Sequence, residues 1–148
     1  MSNNKILVAD DDELILSIIS RGLESSGYEI ISATDGKQAV ELGIKTVPDL
    51  AVLDIRMPGM DGLEVARELR KRADIDSIFL TAYSDKELVE TAIKEGALGY
   101  LVKPIDTHQL VPSIEAGLER SAELRRLHKK AHAHTSSRPS FSLPYVAY

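Results

Sequence analysis

The chain has 148 residues, of which 43% are apolar and 28% are charged, with no cysteine and a formal net charge of −5. This length and apolar fraction indicate one globular domain, and the lack of cysteine excludes disulfide scaffolds, thiolate metal sites and cysteine nucleophiles. No apolar run exceeds four residues, so we expect neither a signal peptide nor a membrane span, and we expect a cytoplasmic protein.

The charge is unevenly distributed along the chain. Residues 1–106 hold 12 Lys and Arg against 20 Asp and Glu, a balance of −8. Residues 107–148 hold 6 against 3, a balance of +3. The acidic body argues against nucleic acid as its ligand, whereas the basic tail leaves that question open for residues 107–148.

Five short apolar runs alternate with segments of helical spacing between residue 5 and about residue 127. Each run has the length of a buried strand; the runs are residues 6–9, 29–33, 50–53, 77–81 and 99–102. Four aspartates stand where helices would begin and two glycines where helices would end, namely Asp12, Asp35, Asp61 and Asp85, and Gly27 and Gly96. The alternation predicts an α/β fold, a doubly wound five-stranded parallel sheet with helices on both faces.

The fifth helix is predicted to be long and to have an unusual beginning. It starts at Asp106 or Thr107, or the regular helix begins near Pro112, because proline is comfortable only in the first helical turn. An apolar stripe through Ile114 and Leu118 continues beyond the length needed to cover the sheet. The fold therefore includes an extended C-terminal helix.

Polar side chains follow four of the five predicted strands. The strand ends carry Asp10 and Asp11, then Asp54, Thr81 and Lys103. Because ligands of doubly wound sheets bind at the carboxyl ends of the strands, we expect these residues to converge. Each alone reads as a helix cap or a surface charge, but together they indicate a functional site. Clustered carboxylates repel one another and need a cation, and Mg²⁺ prefers such ligands.

Four segments together resemble the receiver domain of two-component response regulators, which has the CheY-like, flavodoxin-like (βα)5 fold. The segments are ILVADDD at 6–12, LDIRMPGMDG at 53–62, LTA at 80–82 and GALGYLVKP at 96–104. The resemblance covers residues 5 to 127. We therefore divide the chain into a receiver domain, residues 1–127, and a flexible tail, residues 128–148, that is first basic and then aromatic.

The resemblance implies a role for each residue at the strand ends. Asp54 would accept a phosphoryl group from a sensor histidine kinase or a phosphotransfer protein. Mg²⁺, or Mn²⁺, would be bound by Asp11 directly, by Asp10 through water, by Asp54 and by the backbone carbonyl of Arg56. Thr81 and Lys103 would contact the phosphoryl oxygens, and the Lys103–Pro104 peptide bond would be cis.

In the family, the threonine and an aromatic residue of the fifth strand form the switch, and Thr81 and Tyr100 stand at those positions. The alternative interpretation of Tyr100 is an ordinary half-buried aromatic residue, since tyrosine is common in strands. The switched surface would be helix 4, strand 5 and helix 5, and would bind a downstream protein target or a second copy. The extended helix 5 is another route to a homodimer. Arg56 and Tyr83 flank the chemistry, and we hypothesise that they screen the acyl phosphate from water and lengthen its lifetime.

Helix 5 also resembles, over residues 110–115, the receiver portion of ANTAR-type antiterminators. About 20 residues follow Leu127, too few for their RNA-binding module or for a helix-turn-helix, so we expect a stand-alone response regulator. Residues 120–138 hold six Lys and Arg and three histidines. This composition is typical of a solvated helix end that passes into disorder. The alternatives are an arm that docks on a partner or contacts nucleic acid, or a metal-binding group of histidines. The aromatic residues Phe141, Tyr145 and Tyr148 suggest a docking peptide.

The leading interpretation is a signalling phosphoacceptor and not an enzyme, with only self-phosphorylation from phosphodonors and slow autodephosphorylation. One alternative is a truncated RNA-binding antiterminator-type regulator. Another is a haloacid-dehalogenase-like phosphatase, whose pattern needs a second aspartate two residues after the nucleophile, where Arg56 stands. The chain carries neither glycine-rich fingerprint of P-loop or dinucleotide enzymes.

Overall fold

The structure is a computed structural model that describes residues 4–131 and 146–147, with side chains for all of these except Tyr83, residues 128–131 and residues 146–147. The predicted alternation of strands and helices is confirmed. The strands are β1 (Lys5–Ala9), β2 (Glu29–Ala33), β3 (Leu50–Asp54), β4 (Ser77–Thr81), β5 (Gly99–Val102) and β6 (Val146–Ala147). The helices are α1 (Glu13–Glu24), α2 (Gly36–Thr46), α3 (Gly62–Ala73), α4 (Lys86–Lys94) and α5 (Thr107–Ala131), with a 3₁₀ turn at Tyr83–Asp85.

One parallel sheet has the strand order β2-β1-β3-β4-β5-β6. The chain moves outward from β1 to β2 and then crosses back to β3 on the other side of β1. This reversal opens a crevice between the carboxyl ends of β1 and β3, the place where ligands of doubly wound sheets bind. Ala9 pairs with Leu53, so the residues that follow them, Asp10 and Asp54, meet in that crevice.

Alternating side chains of the central strands build two hydrophobic cores, one on each face of the sheet. Leu7 and Leu53 point to the face covered by α2, α3 and α4. Ile6 and Val52 point to the face covered by α1 and α5. All four are fully buried, and each such side chain contributes about 1.5–3 kcal/mol of transfer free energy. These buried strands hold the residues at their carboxyl ends on a rigid base.

Three of the four predicted aspartate caps are confirmed. The carboxylates of Asp12, Asp35 and Asp61 accept hydrogen bonds from the first backbone amides of α1, α2 and α3. The prediction for Asp85 is wrong in its chemistry: it precedes α4 but makes no capping hydrogen bond to it. The 3₁₀ turn runs directly into α4, and the carboxylate faces back to accept from Ala82 N at 2.8 Å.

Gly27 and Gly96 follow helix ends as predicted, with φ of 95° and 98°. Such positive φ values favour glycine because it lacks a Cβ.

Helix α5 begins at Thr107 and continues through Pro112. Of the two predicted beginnings, the earlier one is correct. Proline has no N–H to donate to the carbonyl of residue 108, and the next residue, Ser113, adds a hydroxyl hydrogen bond of 2.6 Å to Gln109 O. At 1.5 Å per residue, the 25 residues span about 37 Å, well beyond the strands. Leu124 is still buried whereas Leu127 is 40% exposed, so packing onto the domain ends between them.

Strand β6 was not predicted and extends the sheet beyond β5. Gly99 pairs with Val146 and Tyr100 with Ala147 in a parallel ladder. The predictions for the other tail residues, including the three histidines and the three aromatics, fall on residues or side chains outside those that the structure describes. None of the described helices combines the length and apolar character needed to cross a membrane.

The β6 pairing makes a prediction about backbone exchange. Removing residues 146–148 should speed hydrogen exchange of the amides of residues 99–101 by roughly tenfold or more, because β5 becomes an unpaired edge. Mass spectrometry of exchanged peptides measures this. The matched control lacks only Tyr148 and should leave exchange unchanged; equal exchange in all three chains would contradict the pairing.

Candidate functional site

The crevice between β1 and β3 holds three carboxylates. Asp10 follows β1 and is fully buried, Asp54 ends β3 and is 5% exposed, and Asp11 is exposed. One carboxylate oxygen from each lies within 4.8 Å of the others. The convergence predicted from residues 44 positions apart in the sequence therefore exists in the structure.

Lys103 supplies the positive charge of this cluster. Its Nζ lies 3.1 Å from Asp10 Oδ2 and 3.1 Å from Asp54 Oδ2. The lysine follows β5, its backbone N–H donates to Thr81 O at 2.7 Å, and the peptide bond to Pro104 is cis. One ammonium group thus bridges two buried carboxylates from neighbouring parts of the sheet.

The electrostatic balance of the cluster remains negative. Burial and the nearby charge of Asp10 raise the pKa of Asp54 to about 6, although Lys103 and the N–H of Arg56 act to lower it. Burial acts to lower the pKa of Lys103, but the charges of Asp54 and Asp10 outweigh it and raise that pKa. One lysine does not compensate three carboxylates, so the cluster favours a further cation.

The donor atoms fit a hard divalent cation. Buried Asp10 Oδ2 lies at ion-pair distance from Lys103 but makes no hydrogen bond, which leaves acceptor capacity for a ligand. The N–H of Arg56 donates to Asp54 Oδ1 at 3.2 Å, so the backbone of Arg56 lies beside the carboxylates. Carboxylate and carbonyl oxygens are the ligands that Mg²⁺ prefers, with water completing its shell.

The two predicted switch residues lie on adjacent strands. Thr81 ends β4 and is buried, one residue beyond the Leu80 that pairs with Asp54. Tyr100 is half-buried on β5, pairs with Phe79 and packs against the core under α3 and α4. Thr81 therefore lies next to the carboxylate cluster, and Tyr100 lies next to the strand that carries Thr81.

The structure describes the side chain of only one of the two residues predicted to tune the phosphoryl lifetime, and that role stays a prediction for both. Arg56 has a 64% exposed side chain whose Nε donates to Asp85 Oδ1 in an ion pair. The side chain of Tyr83 is outside what the structure describes. Burial acts to raise the pKa of Asp85, but the Ala82 N–H and Arg56 outweigh it and hold that pKa below its ordinary value.

Sequence reasoning missed two contributors to the site. One is Asp85, which it interpreted only as a helix cap. The other is Gly62 at the start of α3, where an added Cβ would lie 3.0 Å from the carbonyl carbon of Asp54 and 2.8 Å from Ile55 Cα. Such contact distances force a shift of backbone, so only glycine lets α3 pack this closely behind Asp54. The signal was the Asp61-Gly62 pair itself, since glycine is a poor helix former directly after a cap.

Comparisons with known proteins agree with this geometry. A family model described as a response regulator receiver domain matches residues 6–115. The transcriptional regulatory protein PdtaR of Mycobacterium tuberculosis is 40% identical over 124 residues, which are 83% of this chain and 60% of that protein. A protein of Porphyridium aerugineum named "Probable transcriptional regulator ycf27" is 42% identical over 120 residues, 81% of this chain and 50% of that protein. The chain thus spans half to three-fifths of these relatives.

Solved structures show the same fold. The receiver domain of AraT, a response regulator from Geobacillus stearothermophilus, has a TM-score of 0.75 at 27% identity, covering 84% of this chain and 99% of that one. A response regulator receiver domain protein from Clostridium thermocellum has a TM-score of 0.73 at 28% identity, covering 84% and 98%.

The raised pKa of Asp54 predicts how stability depends on pH. The folded protein holds this proton more tightly than the unfolded chain, so the stabilisation is complete below the ordinary pKa of 3.8 and is lost as the pH rises through about 6. At pH 8, Asp54→Asn should therefore unfold at a higher urea concentration than the wild type, with a free energy of unfolding larger by on the order of 1–3 kcal/mol. At pH 4 the two proteins should have nearly the same stability.

The measurement is urea unfolding in EDTA at several pH values. Glu41→Gln, an exposed carboxylate on α2, is the matched control and should change little. An Asp54→Asn advantage of the same size at pH 4 and pH 8 would show that the Asp54 charge does not cause it.

Proposed function

Because the chain belongs to the response regulator receiver domain family, we propose that it is a phosphorylation switch in which Asp54 accepts a phosphoryl group from a sensor histidine kinase or phosphotransfer protein. The single observation that supports this most strongly is the placement of buried Asp54 beside Asp10, with the Lys103 ammonium group 3.1 Å from both carboxylates. In such a pair the carboxylate can act as the nucleophile, and the fixed cation beside it can stabilise the negative charge of the transferred group.

The reaction is an in-line phosphoryl transfer. An Asp54 carboxylate oxygen forms a bond to phosphorus while the bond between phosphorus and the imidazole nitrogen breaks, and the electron pair of that bond returns to the imidazole. The product is an acyl phosphate. With a pKa of about 6, Asp54 is ionised at neutral pH, as a nucleophile must be. Lys103 lies where charge accumulates on the transferred oxygens, and Thr81 offers them a neutral donor.

A divalent cation, Mg²⁺ or Mn²⁺, belongs to this proposal. Asp10, Asp11, Asp54 and the Arg56 carbonyl would hold it, and when bound it neutralises charge on the phosphoryl oxygens. The remaining work falls on the chain's own groups. Lys103 offsets the two carboxylates nearest to it, and Gly62 allows α3 to fix the backbone behind Asp54.

A phosphodonor could approach the carboxylate cluster from the side of Asp11. A depression of about 470 Å³ lies beside the carboxylates and is lined by Asp11, Ile55, Arg56, Met57, Pro58, Asp61 and Leu88. This shape suits a macromolecular donor that presents its phosphorylated side chain from outside, and it does not enclose a small substrate. The protein's only chemistry in this proposal is its own phosphorylation and slow dephosphorylation, so we do not regard it as an enzyme.

The output surface in this proposal is α4, β5 and α5. Thr81 would move toward the phosphoryl group and Tyr100 would turn inward, changing the surface that a downstream protein or a second copy contacts. Since its relatives are named as transcriptional regulators, the downstream process would be gene expression. A site of action in the cytoplasm is part of the same proposal.

Phosphorylation of Asp54 can be tested directly. Incubation with acetyl phosphate and Mg²⁺ should add about 80 Da, one phosphoryl group, to the wild type and none to Asp54→Asn, because the amide is not a nucleophile under these conditions. Intact-mass spectrometry measures the adduct. The control Glu41→Gln should be modified like the wild type; an adduct of equal yield on Asp54→Asn would place the phosphoacceptor elsewhere.

The role of Tyr100 can be separated from the chemistry. Tyr100→Ala should take up the phosphoryl group at a rate within about twofold of the wild type, because the tyrosine lies off the carboxylate cluster. Phosphorylation should then change the amide exchange of α4 and β5 in the wild type but much less in the variant. Tyr28→Ala, a half-buried tyrosine at the other core, is the matched control. If phosphorylation changed the amide exchange of α4 and β5 as much in Tyr100→Ala as in the wild type, Tyr100 would have no role in the switch.

A further inference from the structure

Two loops that leave the carboxylate cluster are tied together by one ion pair. Arg56, two residues after Asp54, donates through Nε to Asp85 Oδ1. The other carboxylate oxygen, Asp85 Oδ2, accepts from Ala82 N at 2.8 Å, and Ala82 directly follows Thr81. Asp85 thus connects the loop after the proposed phosphoacceptor to the loop after the phosphoryl-sensing threonine.

The two partners of this ion pair have opposite environments. The Asp85 side chain is 3% exposed, whereas that of Arg56 is 64% exposed. Arginine is therefore free to leave at small packing cost, but its departure would leave a buried carboxylate with only the Ala82 N–H. A buried charge without its partner costs several kcal/mol, so Asp85 would have to reach water, and the 3₁₀ turn that carries it would have to move.

A phosphoryl group on Asp54 competes for the same arginine. The N–H of Arg56 lies 3.2 Å from Asp54 Oδ1, so the base of the side chain is next to the proposed acceptor. A phosphoryl group carries a charge of about −1.5 to −2 and has three acceptor oxygens. The Asp85 carboxylate carries a single negative charge, and one of its two oxygens already accepts from Ala82 N. Guanidinium groups bind phosphoryl oxygens strongly in bidentate geometry.

We propose that Arg56 exchanges partners on phosphorylation, leaving Asp85 for the phosphoryl oxygens on Asp54 and thereby releasing the loop between β4 and α4. This inference rests on the proposed function and adds a second connection from the site to α4, parallel to Thr81 and Tyr100. Asp85 is a positioning residue: it contacts no reacting atom and holds Arg56 and Ala82 in the unphosphorylated state. The exchange is two-state, because Asp85 is stable when paired and buried, or unpaired and hydrated.

The test uses Mg²⁺ and beryllofluoride as the phosphoryl mimic, with binding followed by titration calorimetry on the full chain. Asp85→Asn keeps an acceptor for Ala82 N but removes the charge that holds Arg56, so it should bind beryllofluoride roughly three- to tenfold more tightly than the wild type. Arg56→Gln should bind more weakly by a similar factor. The double variant should bind like Arg56→Gln, because the gain from Asp85→Asn needs the arginine.

A structural readout accompanies the affinities. In the wild type, beryllofluoride should speed amide exchange of residues 82–86. In Asp85→Asn it should speed them much less, because the neutral amide can stay buried on Ala82 N when Arg56 leaves. Glu87→Gln, an exposed carboxylate on α4, controls for the change in net charge and should resemble the wild type. If Asp85→Asn does not fold, Arg56→Gln serves in the exchange measurement. Without the guanidinium the buried Asp85 carboxylate is left with only the Ala82 N–H, so residues 82–86 should exchange fast before beryllofluoride is added, and slow exchange there overturns the proposal.

The outcomes separate the two proposals. A wild type that binds no beryllofluoride with Mg²⁺ overturns the proposed function and, with it, the partner exchange. A wild type that binds, with Asp85→Asn no tighter or with the gain kept in the double variant, leaves the phosphoacceptor in place and overturns the exchange alone.

Discussion

The contact of Lys103 with two buried carboxylates is the interaction on which the rest of this molecule depends. Asp10 and Asp54 are fully or almost fully buried beside each other, and without the ammonium group 3.1 Å from each their repulsion would be uncompensated. The sheet makes this placement possible, because its parallel strands all end at one edge and the reversal of strand order puts β3 next to β1. The buried carboxylates at this edge destabilise the fold, and the burial of apolar side chains in the two hydrophobic cores compensates for that cost.

The features that sequence reasoning predicted well are those that local patterns determine. The five strands were placed within one residue of their observed bounds because buried parallel strands are short continuous apolar runs between turn signals. Asp12, Asp35 and Asp61 cap their helices because a carboxylate before a helical run has free amides within reach. The convergence of the site residues then follows from topology, since all parallel strands end at the same edge.

The features that sequence reasoning missed depend on contacts between segments that are distant in the sequence. Asp85 has the local signature of a cap, but its carboxylate faces a partner 29 positions earlier, at Arg56, which no local pattern contains. Strand β6 has two residues, too few for a periodic signal, and exists by pairing with β5. Pro112 disfavours a helical position, yet α5 passes through it because Leu110 and Ile114 on either side are fully buried against the sheet. Tertiary packing outweighed local propensity in each case.

The position of Arg56 shows how one residue can link chemistry to conformation. Its N–H donates to Asp54, its carbonyl is a metal ligand in the proposed function, and its guanidinium holds the loop beyond Thr81 through Asp85. A phosphoryl group on Asp54 would change the charge at all three points at once. In the proposed partner exchange, Lys103 and a bound divalent cation offset part of the added negative charge, and Arg56 offsets more of it by leaving Asp85. Its side chain is 64% exposed, so it can turn from Asp85 at small packing cost, and in this proposal the loss of the ion pair transmits the change to the loop before α4.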